Sequence, residues 1–424
     1  MDVEDDNYVP KLGKCGLKNI GNTCYMNSIL QLLFHCKPLI SFLVKKRKLL
    51  PDNITEVQMA DYEHYLEKAT LENVARDERK RLKIEEDSLV TIRKEQLDKS
   101  MSESLTLELA NIIEKFINKG ASEITPGTFK MMLDKKISNF RGFQQHDAHE
   151  LIIHILDAII EETGIKTSPT INNVPKEIHE YEYQYSLLKE KLTETDNLEE
   201  KKQIVEMANE LKKKYFSIIS NYSGLKYMIG IYSKKYNPFI QQIQTLLVHR
   251  LQCQECKNIT TNYENTPVLQ LQVGHTLENC FENLTKQETV ENYDCNVCNR
   301  KTTINKECRI WRTPSVLFIQ LKRFEVFPNG RVRKDNRYVD IPFTLDLASY
   351  CDGSMNTDKK INRVYKLRGY SNHMGSLSNG HYTADCMCII DNKTWYHFDD
   401  SNVKRNMNKV IDISNAYILL YELD

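Results

Sequence analysis

Two short cysteine pairs constrain this chain more than any other feature. Cys253-Gln254-Glu255-Cys256 and Cys295-Asn296-Val297-Cys298 repeat one Cys-x2-Cys spacing inside a β-rich stretch. The N-terminus, Met1-Asp2-Val3-Glu4-Asp5-Asp6, is acidic and polar, unlike a secretory signal. The twelve cysteines are therefore expected in a reducing compartment, cytoplasmic or nuclear, where they serve metal binding or catalysis rather than disulfides. Four thiolates in two pairs suit tetrahedral Zn2+. The interval 257–294 is longer than in a compact zinc ribbon, so strands within it must bring the pairs together at the tips of two hairpins. Four protein ligands leave no open position, so the expected Zn2+ is structural.

A second stretch carries reactive chemistry. In Gly16-Leu17-Lys18-Asn19-Ile20-Gly21-Asn22-Thr23-Cys24-Tyr25-Met26-Asn27-Ser28, the turn formers Gly21 and Asn22 keep a helix from starting early. From Met26 onward Ile29, Leu30, Leu33 and Phe34 recur at helical spacing, and Pro38 marks the end near His35. Cys24 thus falls at a helix N-terminus, where free amide N–H groups and the dipole favour an anionic sulfur. Asn19, in the preceding turn, can aim its amide at whatever Cys24 attacks, which is the arrangement of a nucleophile with an oxyanion donor. For a lone cysteine there, a buried structural role is the favoured reading, because free cysteine is among the most buried residue types. The chemical reading needs a base and an acid from elsewhere.

Gly380-His381-Tyr382-Thr383-Ala384 opens a strand after the loop 374–379, and Trp395 to Ser401 lies on the next strand. The turn Asp391-Asn392-Lys393 folds the two into a hairpin, bringing His381 and Asp399 to nearly opposite positions. Asp399 can then hold one ring nitrogen of His381 while the other faces Cys24. The order cysteine, histidine, acid is that of papain-like thiol proteases.

The 424 residues suffice for two or three cores. Basic and acidic residues balance at 58 each, which implies no polyanion or anionic membrane partner, and no apolar run reaches membrane-spanning length. Residues 1–13 read as a leader. Residues 14–166 read as a helical unit interrupted by a charged insertion at 45–102, with Arg76-Asp77-Glu78-Arg79-Lys80-Arg81 typical of it. Asp147 and Glu150 stand in capping-box spacing before the apolar face of Leu151, Ile152, Ile155, Leu156, Ile159 and Ile160. Capping alone accounts for Asp147 as well as a ligand role does. Residues 167–222 read as a second insertion, a helical hairpin of 178–193 and 198–222 joined at Thr195-Asp196-Asn197, with ornament the expected role. Residues 223–424 turn β-rich, with strands around Val316–Phe324, Tyr365–Tyr370, His381–Ile390, Thr394–Phe398 and Ala416–Glu422, and a hairpin turn at Phe327-Pro328-Asn329-Gly330.

Together these motifs resemble the ubiquitin-specific protease family. Gly21 to Ser28 is similar to its cysteine box, Gln145-His146-Asp147-Ala148-His149-Glu150 to its glutamine–aspartate box, and the cysteine pairs to its zinc fingers. Leu321-Lys322-Arg323-Phe324 resembles its palm strand, and Gly380-His381-Tyr382 with Trp395 to Ser401 its histidine box. The likeness spans 14–424 apart from the two insertions. It departs at Leu151, where an aromatic is usual.

The resemblance implies an α+β, papain-like cysteine protease hand. That hand has a helical thumb, an antiparallel β palm and zinc-tipped β fingers at about 246–310. It implies Cys24 as nucleophile, His381 as base, Asp399 as its orienting acid and Asn19 as oxyanion donor. Gln145, Asp147, Gly380, Tyr382 and Asp400 fall where the family binds the ubiquitin tail, and some members use the acid at the Asp400 position as the third catalytic group. Cys253, Cys256, Cys295 and Cys298 would hold Zn2+, with no cofactor for catalysis. The implied activity is hydrolysis after the C-terminal glycine of ubiquitin in ubiquitinated proteins, by a monomer with no nucleic-acid or membrane partner. The alternatives are a protease for a ubiquitin-like modifier and an inactive ubiquitin-binding scaffold; the neutral net charge argues against a nucleic-acid-binding zinc module.

Overall fold

A computed structural model describes residues 13–47, 82–83, 104–118, 123–171, 174–352, 363–376, 380–406 and 415–424. The expected leader, apart from Gly13, and most of the expected insertion 45–102 lie outside the described residues.

The interval between the cysteine pairs folds as their spacing requires. Strands Thr245–Cys253 and Ile259–Thr266 form one antiparallel hairpin, and Glu288–Cys295 and Arg300–Arg312 form another. The inner strands of the two hairpins pair with each other, with Cys253 opposite Ile304. Both cysteine turns therefore stand side by side at one end of a four-stranded sheet.

A second sheet has eight strands. Its order is Asn402–Asn406, Trp395–Asp399, Gly380–Met387, Val364–Gly375, Ala416–Leu423, Val316–Lys322 and Val268–Gln272, with Thr344–Asp346 added beside Val364–Gly375. It is antiparallel except at Val268–Gln272, which runs parallel to Val316–Lys322. A parallel neighbour needs a long crossover, and the second finger hairpin lies within that connection. The expected turn at Phe327–Gly330 joins the short strands Phe324–Val326 and Val332–Lys334. Two helices in this β-rich half are not expected, Pro238–Ile243 and Leu277–Thr285, the second of which packs Leu277, Cys280 and Phe281 under the sheet.

The helix Cys24–Phe34 is wedged between the eight-stranded sheet and the helix Ala148–Thr163. The apolar spacing pointed to one buried face, yet every residue of this helix is buried. Several of its polar side chains are paired: Gln31 donates to the Cys15 carbonyl at 2.9 Å, and Ser371 donates to Ser28 at 3.0 Å. Pro38 does not simply end the chain's helical run. It sits in the first turn of a second helix, Lys37–Arg47, where its missing N–H costs no intrahelical bond.

The region 167–222 holds more than a two-helix hairpin. Lys176–Glu194 and Leu198–Lys214 form the expected pair, with Asn197 capping the second helix by accepting from Glu199 N at 2.9 Å. The chain breaks at Tyr215 and starts a third helix, Phe216–Tyr232. That helix packs Met228 and Tyr232 on Leu246, Val248 and Trp311 of the four-stranded sheet. Gly224 is where it approaches closest, since a Cβ there would lie 2.2 Å from Trp311 Cζ2. Trp311 is 2% exposed and has no space to retreat. Gly224→Ala is therefore expected to overpack this contact and cost about 1–3 kcal/mol. Denaturant unfolding measures this, and an unchanged midpoint would contradict the packing.

Candidate active site

Cys24 begins its helix because Gly21 at φ +117° and Asn22 at φ +52° turn the chain immediately before it. On the facing sheet, the register Ala384↔Phe398 sets Asp399 across from Thr383, two residues from His381 on the same face. The two are thus diagonal neighbours rather than directly opposite, and His381 Nε2 meets Asp399 Oδ1 at 2.7 Å. The Cys24 side chain also acts on His381, as the largest cause of its raised pKa. With Nε2 on the carboxylate, Nδ1 is the nitrogen left for sulfur. The Cys24 side chain, then the bond with Asp399, outweighs partial burial and lifts the imidazole from 6.5 to about 9.

Asp400 also stands near the imidazole, its carboxylate within 4.8 Å of the His381 and Asp399 polar atoms, but its hydrogen bonds go elsewhere. In the left-handed region at φ +51°, it accepts from Asn19 Nδ2 at 2.9 Å and from Asn27 Nδ2 at 2.7 Å. Asn19 Oδ1 accepts in turn from the amides of Gly21 and Thr23, both at 3.1 Å. The turn before Cys24 is thereby tied to the end of the Asp399 strand. Asn27 was not singled out in the sequence. Its only signal is a polar side chain among the apolar positions of the buried helix.

Gln145 is fully engaged. Its Nε2 donates to the Gly380 carbonyl at 2.6 Å, and its Oε1 accepts from Gly380 N at 2.9 Å. This clamps the residue before His381. Gly380 is required there, because a Cβ would lie 2.2 Å from His373 Nε2.

Asp147 does cap its helix, accepting from His149 N at 2.7 Å, but Glu150 does not complete the box and instead accepts from Asn139. Tyr417 donates to both Asp147 oxygens, at 2.9 and 2.8 Å. Burial still pushes the Asp147 carboxyl above its usual range. Tyr382 is 3% exposed and packs on His373 at a ring separation of 4.6 Å. His373 is lowered to about 4, first by burial and then by Lys334, so it is a neutral ring. His373 and Tyr417 were not expected in the site. They reach it through strand register, which no local pattern encodes.

The four cysteine sulfurs lie within 4.8 Å of one another. Cys253 and Cys298 are 3.9 Å apart, and Cys256 and Cys295 are 3.6 Å apart. A tetrahedral zinc with about 2.3 Å bonds needs sulfurs about 3.8 Å apart, so the donor set fits. Burial pushes the Cys256 and Cys298 thiols up, as expected of thiols that need a cation to ionise together. The cluster could hold a metal ion. Among the described residues, no helix is long and apolar enough to cross a membrane.

A cysteine at a buried helix start, an imidazole beside it and a carboxylate bonded to that imidazole thus stand together in an α+β hand. The sequence model of the ubiquitin carboxyl-terminal hydrolase family matches residues 15–421, and the chain belongs to that family. Its class is the cysteine-type deubiquitinase. Probable ubiquitin carboxyl-terminal hydrolase R319 of Acanthamoeba polyphaga mimivirus is 27% identical over 429 residues, covering 96% of this chain and 90% of its own length. Ubiquitin carboxyl-terminal hydrolase 21 of Homo sapiens is 25% identical over 426 residues, and the match covers 97% of this chain but 62% of the human protein. The fold is similar to the SAGA Ubp8/Sgf11/Sus1/Sgf73 DUB module bound to ubiquitin aldehyde. The TM-score is 0.59 at 21% identity, over 98% of this chain and 70% of that one.

Because the Cys24 side chain contributes most to the raised His381 pKa, Cys24→Ala is expected to lower it from about 9 toward 6.5. A raised histidine pKa means the charged ring is favoured in the folded state. The stability it gives is complete below about 6.5 and is lost as pH rises through about 9. NMR titration of the imidazole in both proteins measures the change. Equal values would contradict the Cys24–His381 interaction.

Proposed function

We propose that this chain hydrolyses the isopeptide or peptide bond after the C-terminal glycine of ubiquitin, with Cys24, His381, Asp399 and Asn19 as its machinery. The observation that carries this reading is that His381 is bonded to Asp399 at 2.7 Å while the Cys24 side chain acts on the same ring and raises its pKa. The sulfur attacks the terminal glycine carbonyl, and the C–N bond to the substrate lysine breaks as His381 delivers a proton to the leaving amine. His381 then takes a proton from water, which attacks the thioester and releases the free carboxylate and the cysteine. Asp399 keeps the ring oriented throughout. An asparagine amide has two N–H donors, so Asn19 keeps one for the oxyanion while the other stays on Asp400. Asp400 is then a positioning residue for Asn19.

Asp147 suits an arginine of the ubiquitin tail, because a buried carboxylate with a raised pKa gains most from an incoming cation. Gln145, Gly380 and Tyr382 act on the tail less directly: Gln145 fixes Gly380, and Tyr382 forms part of a packed wall with His373. The four cysteines would hold Zn2+ as a structural ion that joins the two finger hairpins.

Cys24→Ala is expected to reduce cleavage of ubiquitin-coumarin by about a thousandfold or more while leaving ubiquitin binding intact. Turnover and calorimetry of the two proteins measure this. Retained turnover would remove Cys24 from its role. Faster cleavage of another modifier's coumarin would point to a protease for a ubiquitin-like protein, and no cleavage by the unmutated chain would point to a binding scaffold.

A further inference from the structure

The helical insertion is more than an appendage, because it reaches the first cysteine pair. Asn209, on the helix Leu198–Lys214, donates its Nδ2 to the Lys257 carbonyl at 2.8 Å. Lys257 directly follows Cys256 and holds the left-handed conformation, φ +59°, that closes the cysteine turn. Within that turn Lys257 N donates to Cys253 O, and Cys253 N donates to Asn258 O, both at 3.0 Å. One helical turn further along, Lys212 donates its Nζ to the Ile259 carbonyl at 3.0 Å. Its ammonium also lies 5.4 Å from the Tyr185 ring of the partner helix. Ile259 opens the edge strand of the four-stranded sheet, whose backbone groups would otherwise look outward. Farther down the same strand, Tyr263 donates to the Ser220 carbonyl at 3.1 Å and Tyr227 donates to Asn265 at 3.1 Å.

Between these anchor points the helices do not pack flush. A cavity of about 860 Å3 separates them from the strands, lined in part by Tyr181, Tyr185, Phe216, Gln252 and Glu255. Besides the bonds of Gln254 and Glu255 to the second finger hairpin, the cysteine turn and the strand start after it are held on the helix side by two discrete polar bonds rather than by a continuous apolar seam.

We infer that the helix Leu198–Lys214 is a brace for the metal end of the fingers, with Asn209 and Lys212 as the positioning residues that fix the Cys253–Cys256 turn in its ligating form. The brace acts on the metal site itself. Its effect on ubiquitin binding rests on the function proposed above. A turn that opens more often releases its ion faster and presents a less ordered finger tip, while the distant Cys24–His381–Asp399 cluster is untouched.

The test uses the full chain loaded with Zn2+. The double variant Asn209→Ala/Lys212→Met is compared with Lys212→Arg, which keeps a donor for Ile259 O, and with Glu206→Ala, which alters the same helix without touching the turn. Zinc release to a chromogenic chelator and hydrogen exchange of the 253–259 amides are measured. The double variant is expected to release zinc about fivefold faster or more, the factor one hydrogen bond of ordinary net strength supplies. It should exchange faster at 253–259, and Lys212→Arg and Glu206→Ala should stay near the unmutated chain. With ubiquitin-coumarin, the double variant should raise KM and leave kcat within about twofold, as for loss of uniform binding. Unchanged release and exchange would overturn the brace, and so would an equal effect of Glu206→Ala. Faster release from a chain that cleaves no ubiquitin substrate would uphold the brace and count against the function.

Discussion

Everything in the site depends on a fully buried helix pressed between two layers. Cys24–Phe34 carries the sulfur at its first residue, and the sheet that covers it carries His381. Neither layer holds a complete reactive centre. The helix buries Met26, Ile29, Leu30, Leu33 and Phe34, and each such side chain contributes about 1.5–3 kcal/mol when removed from water. That apolar pressure holds the layers together but does not fix the sulfur to within a hydrogen bond of the ring. Directional polar bonds set the register: Asn27 and Asn19 onto Asp400 on one side, and Gln145 onto Gly380 on the other. Packing thus brings the groups near each other, and these bonds settle their final positions.

The electrostatics follow from the same arrangement. His381 is raised by the Cys24 side chain and by the Asp399 carboxylate bonded to its Nε2. His373, buried, and His149, half-buried, have no hydrogen-bonded acid and are lowered to about 4. Three histidines close together in the fold thus differ in charge at neutral pH, and only the one beside Cys24 is cationic. Asp147 is displaced in the opposite sense to a paired acid, which leaves one buried carboxylate beside the site short of positive charge.

Features set by local chemistry were legible in the sequence. The cysteine pairs could be read because thiols at that spacing have few other uses, and the pairing of Cys253 with Ile304 follows from the need to join them. The helix start at Cys24 could be read from Gly21 and Asn22, whose left-handed φ values no helix accommodates. The hairpin bearing His381 and Asp399 could be read from its turn. Contacts set only by tertiary approach were not legible. Asn27 and Asp400 are 373 residues apart, and nothing near either one indicates the other. The break at Tyr215 has no proline or glycine to mark it. The fit of Gly224 to Trp311 and of Asn209 to Lys257 O exists only once the third helix has docked.

The central claim is that one cysteine among twelve, the one whose side chain acts on the Asp399-bonded His381, is the nucleophile. Reaction with ubiquitin vinyl sulfone, followed by intact-mass and peptide mass analysis, tests it most directly. The account gives a single adduct, carried on the peptide containing Cys24 and lost in His381→Ala. An adduct on any other cysteine, or none on the unmutated chain, would contradict it.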